Sequence, residues 1–144
     1  MIKKLYDPDK NGVMQVVGLM SGSGSNLKKI IEFEKSLIEA NGKAPYHVAV
    51  IFSDNPGSNA QAIGEQYNLP VLVKDIRAFY EQKKKPRTNM EVRKEFDRRT
   101  VYELTSRFEL SAAAYAGYMS IASKPLIDAF IGVNVHPADL SKMQ

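Results

Sequence analysis

The sequence predicts an α/β protein, an open, mainly parallel twisted sheet of about five strands with helices on both faces. Three observations predict it. Short β-rich runs alternate with segments whose apolar residues recur at helical spacing. The runs are nearly apolar throughout, as strands covered on both faces should be. Turn signals punctuate the alternation, at Asn41-Gly42, Asn55-Pro56-Gly57 and Asn68-Leu69-Pro70.

Each element has its own reason. Residues 13–19 (VMQVVGL) read as the first strand, followed by a Gly/Ser turn at residues 21–26. Leu27, Ile30, Ile31, Leu37 and Ile38 then mark a helix to about Ala40, with Lys28/Glu32 and Lys35/Glu39 as i,i+4 pairs on its wet face. Asn41-Gly42 stops it. Residues 48–52 (VAVIF) form the second strand, residues 59–67 a short helix and residues 71–74 the third strand. Residues 76–90 read as irregular and basic. Residues 91–108 read as a helix with Val92, Phe96, Leu104 and Phe108 inward. Residues 110–116 (LSAAAYA) give the fourth strand. Ser123-Lys124-Pro125 opens a helix to Phe130, and residues 131–135 give the fifth strand. Helical crossovers between such strands imply right-handed βαβ units, and such sheets bind ligands at the carboxyl ends of their strands.

Composition narrows the function. At 144 residues the chain is expected to be a single domain with a self-sufficient core. It has no cysteine, which excludes disulfide scaffolds, zinc ribbons and thiol nucleophiles. The opening MIKKLYDPDKNG lacks the apolar stretch of a secretory signal, and no apolar run approaches the length of a membrane span. A soluble, cytoplasmic protein is expected, with no membrane and no nucleic acid as partner. The net charge of +4 suits an anionic small molecule. Much of that excess lies in residues 83–87 (KKKPR), with Arg93, Lys94, Arg98 and Arg99 following. This region reads either as a solvated loop and helix face or as a rim that attracts phosphate or carboxylate.

Four motifs bear on chemistry. Ser21-Gly22-Ser23-Gly24-Ser25-Asn26 joins a strand to a helix, where backbone N–H groups and the helix dipole favour an anion. Leu27 breaks the G-x-G-x-x-G dinucleotide fingerprint, and there is no Walker-type loop. Asn134-Val135-His136-Pro137 ends the fifth strand. Residues i and i+2 of a strand share a face, so Asn134 and His136 converge as donors, which an acyl-transfer oxyanion needs. His47 lacks polar company in the sequence and reads as structural. Asp7-Pro8-Asp9-Lys10-Asn11-Gly12 opens like a calcium loop, but Gly18 stands where a bidentate glutamate is needed, so a turn is expected and no metal. Residues 116–121 (AGYMSI) could wall an apolar slot.

In their order and spacing, residues 21–27, 116–119 and 134–137 resemble the motifs of phosphoribosylglycinamide formyltransferase and the wider folate-dependent formyltransferase family. The resemblance covers nearly the whole chain from Val13 onward. It implies a Rossmann-like formyltransferase fold and a role in purine biosynthesis. The reaction it implies is formyl transfer from 10-formyltetrahydrofolate, the co-substrate, to the amine of glycinamide ribonucleotide. It further implies that Gly24, Ser25 and Asn26 bind the substrate phosphate. Met119, Ser120, Ile121 and Ala122 would bind folate, with Arg93 at the rim near its charged portion. Asn134 and His136 would hold the oxyanion, and His136 would pass a proton to the leaving nitrogen. No metal is implied.

Two departures bear on the substrate. Residues 138–141 are Ala-Asp-Leu-Ser where the family usually has Ser-Leu-Leu-Pro, and Ser120 stands where arginine is frequent. The family's catalytic aspartate has no match before Gln144. The sequence therefore reads as the N-terminal portion of such an enzyme, with little or no turnover expected of it alone, and with dimers or aggregates expected from unpaired sheet edges. Three alternatives stay open: a formyltransferase with another amine acceptor, a phosphate- or nucleotide-binding module using Asp54 after the second strand, and a protein-interaction domain using the 83–99 basic region.

Overall fold

The central strand, β1 (Met14–Met20), is walled by apolar side chains on both sides, with Val17 and Leu19 fully buried on one face and Val16 and Met20 buried on the other. The computed structural model describes residues 12–134. After β1 come α1 (Ser25–Asn41), β2 (Tyr46–Ser53), α2 (Ala60–Tyr67), β3 (Val71–Val73), α3 (Ile76–Lys83), α4 (Met90–Arg107), β4 (Ala112–Tyr115), α5 (Lys124–Ala129) and β5 (Ile131–Asn134). The sheet order is β3-β2-β1-β4-β5, and every pairing is parallel. The predicted fold class is therefore the observed one. All five carboxyl ends lie along one edge, and the strand order reverses between β1 and β4, where a crevice opens in such sheets.

Helices cover both faces. Leu27, Ile30 and Ile31 of α1 and Ala60 and Ile63 of α2 pack on the face that carries Val16, Met20, Val48 and Ile51. Phe79 and Tyr80 of α3, Phe96 and Leu104 of α4 and Leu126 of α5 pack on the face that carries Val17, Leu19, Val50 and Phe52. Val48 and Ile51 share a face although they are three residues apart. A register shift between Val16 and Val17 pairs these with Val48 and Val50, so Ala49 is the extra residue of a bulge. A β-carbon at Gly18 would stand 2.5 Å from Leu27 Cδ1, so the glycine gives room to the Leu27 side chain where α1 packs on the sheet.

Several expectations need correction. Residues 76–83, read as irregular, form α3. The Asp75 carboxylate accepts from the Ala78 N–H at 3.1 Å and caps the helix, and Ile76, Phe79 and Tyr80 recur at i, i+3 and i+4 and are buried. The i,i+4 pairs expected on α1 give way to contacts with α2. Glu32 accepts from the Tyr67 hydroxyl at 2.5 Å, and Lys35 lies 5.5 Å from the centre of the same ring. Ile38, expected inward, is exposed. His47 does have polar company, since its Nδ1 lies 2.7 Å from the buried carboxylate of Glu34, which also accepts from the Val48 N–H at 2.9 Å. In the calcium-like motif, residues 7–11 fall outside the described residues.

Candidate functional site

The carbonyls of the Gly/Ser turn are drawn to one side. Asn55 Nδ2 donates to the Ser21 carbonyl at 3.0 Å, the Asn59 N–H to that of Gly22 at 3.0 Å, and Asn59 Nδ2 to that of Ser23 at 3.2 Å. The chain then enters α1 through Gly24, whose φ of +75° is left-handed. That φ favours glycine, and a β-carbon there would press on the side-chain ends of Ile63 and Met20, which would have to shift. No side chain caps α1, and its first helical bond runs from the Lys28 N–H to the Gly24 carbonyl at 2.9 Å. The N–H groups of Ser25, Asn26 and Leu27 precede that bond and lie outside the helical ladder. The Ser25 N–H makes a long contact, 3.4 Å, to Ser23 Oγ. The turn is held in this shape by α2 and the loop before it.

The loop after β4 is fixed to this turn. The Ser21 N–H donates to the Gly117 carbonyl at 3.2 Å, and Ser21 Oγ accepts from the Met119 N–H at 2.7 Å. Ser21 Oγ also donates to Asp54 Oδ1 at 2.7 Å, while the Ser120 hydroxyl donates to Asp54 Oδ2. Asp54 is buried, and both its oxygens are engaged. From the other side α4 holds the same loop. Arg93 Nη1 donates to the Ile121 carbonyl at 2.9 Å, and Asp97 Oδ2 accepts from the Ser123 N–H at 2.8 Å and the Ser123 hydroxyl at 2.6 Å. Burial pushes the Asp97 carboxyl above the usual range, against the lowering effect of the Ser123 donors. Burial, reinforced by Asp54 and Asp97, likewise raises the Tyr118 hydroxyl, keeping it protonated.

The backbone of residues 117–123 is thus pinned from two sides; Tyr118 packs inward against the core, while Met119 at 81% exposure and Ile121 at 69% stay out. Asn134 pairs with Tyr115, and Tyr115 with Leu19, so Asn134 ends β5 two strands from the end of β1 on the same edge. Adjacent strands lie about 4.8 Å apart, which sets a spacing of roughly 10 Å. His136 lies outside the described residues.

The structure therefore brings together Gly24, Ser25, Asn26, Met119, Ser120, Ile121, Ala122 and the backbone of Asn134 along one edge. Arg93 was expected at an open rim. It is 5% exposed, and its guanidinium is turned to the Tyr80 hydroxyl at 3.2 Å and to Ile121. Sequence reasoning had Ser21 in the turn motif but not its tie to the loop after β4, and it missed Asp97. The signal for Asp97 was available in part, four residues after Arg93 and one helical turn along the same face. Among the described residues no group of three or more His, Asp or Glu could hold a metal, and no helix is long and apolar enough to cross a membrane.

No protein-family model matches the sequence, and no curated protein matches it significantly. Solved structures do match. Glycinamide ribonucleotide transformylase 1 from Symbiobacterium toebii aligns at 24% identity and a TM-score of 0.61 over 82% of this chain and 48% of that one. Phosphoribosylglycinamide formyltransferase from Campylobacter jejuni aligns at 21% identity and 0.63, over 83% and 56%. The same enzyme from Bacillus halodurans aligns at 23% and 0.58, over 80% and 50%. The fold is that of these formyltransferases. The chain spans about half the length of the formyltransferase structures it matches. Within the formyltransferase fold, the turn after β1 and the loop after β4 meet at the switch point, where the sequence motifs placed them.

Proposed function

We propose that this chain serves formyl transfer from 10-formyltetrahydrofolate to the amine of a phosphorylated acceptor, glycinamide ribonucleotide, in purine biosynthesis. One observation carries the reading: an anion-accepting turn and a pinned loop with two exposed apolar side chains are joined through Ser21 at the switch point of a formyltransferase fold. In this reading the N–H groups of Gly24, Ser25 and Asn26 take the acceptor phosphate. Met119 and Ile121 flank the folate ring system, with Ser120 and Ala122 between and beyond them. Arg93 acts from behind, holding the Ile121 carbonyl in place. The acceptor amine forms a bond to the formyl carbon, the carbonyl π pair moves onto its oxygen as an oxyanion, and collapse of that oxyanion then breaks the bond to the folate nitrogen. Asn134 and His136 hold the oxyanion between those events, and His136 carries the amine proton toward the leaving nitrogen. The reading places this chemistry in the cytoplasm.

The test is Asn134→Ala and His136→Ala in the natural-length protein, assayed for formyl transfer to glycinamide ribonucleotide. Losing one oxyanion donor costs about 100- to 1000-fold in rate. If both variants keep rates within about tenfold of the parent, the assignment fails.

A specific observation favours a second reading, a formyltransferase with another amine acceptor. Ser120 stands where arginine is frequent in the family, and it is tied to Asp54 rather than free for a ligand. Comparing glycinamide ribonucleotide with other phosphorylated amines in the same assay separates the two. The nucleotide-binding alternative loses support, because Asp54, its ribose-binding acid, already accepts from Ser21 and Ser120.

A further inference from the structure

Asn59 stands at the start of α2 and does not cap it. Asparagine is among the best helix N-caps, because its side-chain oxygen accepts from the second or third N–H of the helix. Here no such bond forms, the ψ of Asn59 is +14° rather than extended, and the Ala60 N–H goes to Ser58 Oγ at 3.3 Å. Asn59 turns both of its donors to the Gly/Ser turn instead. Its backbone N–H donates to the Gly22 carbonyl at 3.0 Å, and its Nδ2 donates to the next carbonyl, that of Ser23, at 3.2 Å. One residue thus clamps two successive peptide groups of the turn and forgoes the cap of its own helix.

The clamp acts on the far side of each peptide as well. These peptides are trans, and in a trans peptide the carbonyl and the N–H point in opposite directions. Drawing the Ser23 carbonyl toward α2 therefore turns the Gly24 N–H away from α2. That N–H is the first of the three donors given to the acceptor phosphate above. A Ser23 carbonyl left free could swing its negative end toward the anion instead. We propose that Asn59 is a positioning residue for the acceptor phosphate, its side-chain amide holding the Ser23–Gly24 peptide in the orientation that presents the Gly24 N–H. The proposal rests on the phosphate reading of this turn and adds to it a residue outside the turn. Asn59 is exposed, so water competes for its amide and the effect is that of one ordinary hydrogen bond. A turn that spends a smaller fraction of its time in the binding orientation binds more weakly by that fraction.

The experiment is titration of the full chain with inorganic phosphate across the millimolar range, followed by the amide NMR shifts of Gly24, Ser25 and Asn26. It is repeated on Asn59→Ser and Asn59→Gln, with urea unfolding of all three proteins alongside. Asn59→Ser keeps the backbone N–H and a good helix cap, but its side chain is one atom shorter and loses the donor to Ser23. It should bind phosphate about threefold to tenfold more weakly, with the urea midpoint unchanged. Asn59→Gln keeps an amide donor on a longer stem and should bind within about twofold of the parent. Equal binding by the parent and Asn59→Ser, with shifts at the same three amides, would overturn the positioning role and leave the phosphate reading intact. A loss in Asn59→Ser that Asn59→Gln shares, or that follows a falling urea midpoint, would also overturn it, since the amide donor would then not be what matters. If phosphate leaves the three amides of the parent unmoved, the phosphate reading of the turn fails and the proposal fails with it.

Discussion

Gly24 and Gly22 sit two residues apart in the same turn, and only one of them is required by the fold. Gly24 combines a positive φ with close approach to Ile63 and Met20, whereas a side chain at Gly22 would meet nothing within 4 Å. Gly24→Ala should therefore cost about 2–4 kcal/mol, from left-handed strain plus overpacking. Gly22→Ala should stay within about 0.5 kcal/mol of the parent. Urea unfolding of both variants checks this, and equal midpoints would refute the packing argument. Asp97 gives a pH prediction. Its folded pKa is raised, chiefly by burial, so the folded state holds this proton more tightly than the unfolded chain. Its contribution is fully present below the ordinary value of 3.8 and is lost as pH rises through the folded pKa. Asp97→Asn keeps an acceptor for Ser123 and removes the charge, so it should remove that downward slope and leave stability at pH 7 equal or higher. Asp97→Ala instead strands the Ser123 donors and should cost about 1–3 kcal/mol. Thermal melts from pH 3 to pH 8 on all three proteins decide it, and a slope that survives in Asp97→Asn would refute the assignment.

Among the elements, α4 shows how a helix can be legible and still be misread. Its apolar spacing, Val92, Phe96 and Leu104, identified the inward stripe, and all three are buried. Arg93, Asp97 and Thr100 are buried as well, because their partners come from a distant loop and from the helix backbone. A hydrophobic period cannot register polar groups that are satisfied by tertiary contacts. The same holds for Glu34, which is buried on α1 by virtue of His47 and Val48. In α3 the pattern of Ile76, Phe79 and Tyr80 was present, but the lysines at its end made the stretch read as a loop. Strands were readable because each is a short apolar run between turns, and their shared edge followed from parallel order. Phe108, expected inward, is partly buried against the core beyond the last turn of α4. The start of α4 offers a test at this scale. Asn89 Oδ1 accepts from the Val92 N–H at 3.1 Å, and its backbone carbonyl accepts from the Tyr80 hydroxyl at 3.0 Å. Asn89→Ala removes only the cap and should destabilise by about 1 kcal/mol. Asn89→Asp, which keeps the acceptor and adds favourable charge at the helix start, should match or exceed the parent. If Asn89→Ala melts with the parent, the cap carries no stability.

Across the whole molecule the two sheet edges differ. At one side β3 has three residues and is followed by Lys74, whose amine lies 3.5 Å from Glu103 and 4.8 Å from the centre of the Phe96 ring. A short edge with an adjacent charge resists pairing with another chain. At the other side β5 is the outermost strand among the described residues, and it carries Val133 at 45% exposure, with Ile127 of α5 exposed at 56%. An apolar edge strand is a template for another strand, and a net charge of +4 offers little repulsion to keep copies apart. The chain is therefore expected to associate in a concentration-dependent way through β5. Light scattering should give a mass above 16.1 kDa that rises with concentration. Val133→Lys, which puts a charge on the exposed edge without touching the core, should restore the mass of a single chain. A variant on the opposite side, Val71→Lys, should not relieve association, since β3 is not the pairing edge. A mass of one chain at every concentration for the parent, or association untouched by Val133→Lys, would show that the β5 edge is not where copies meet.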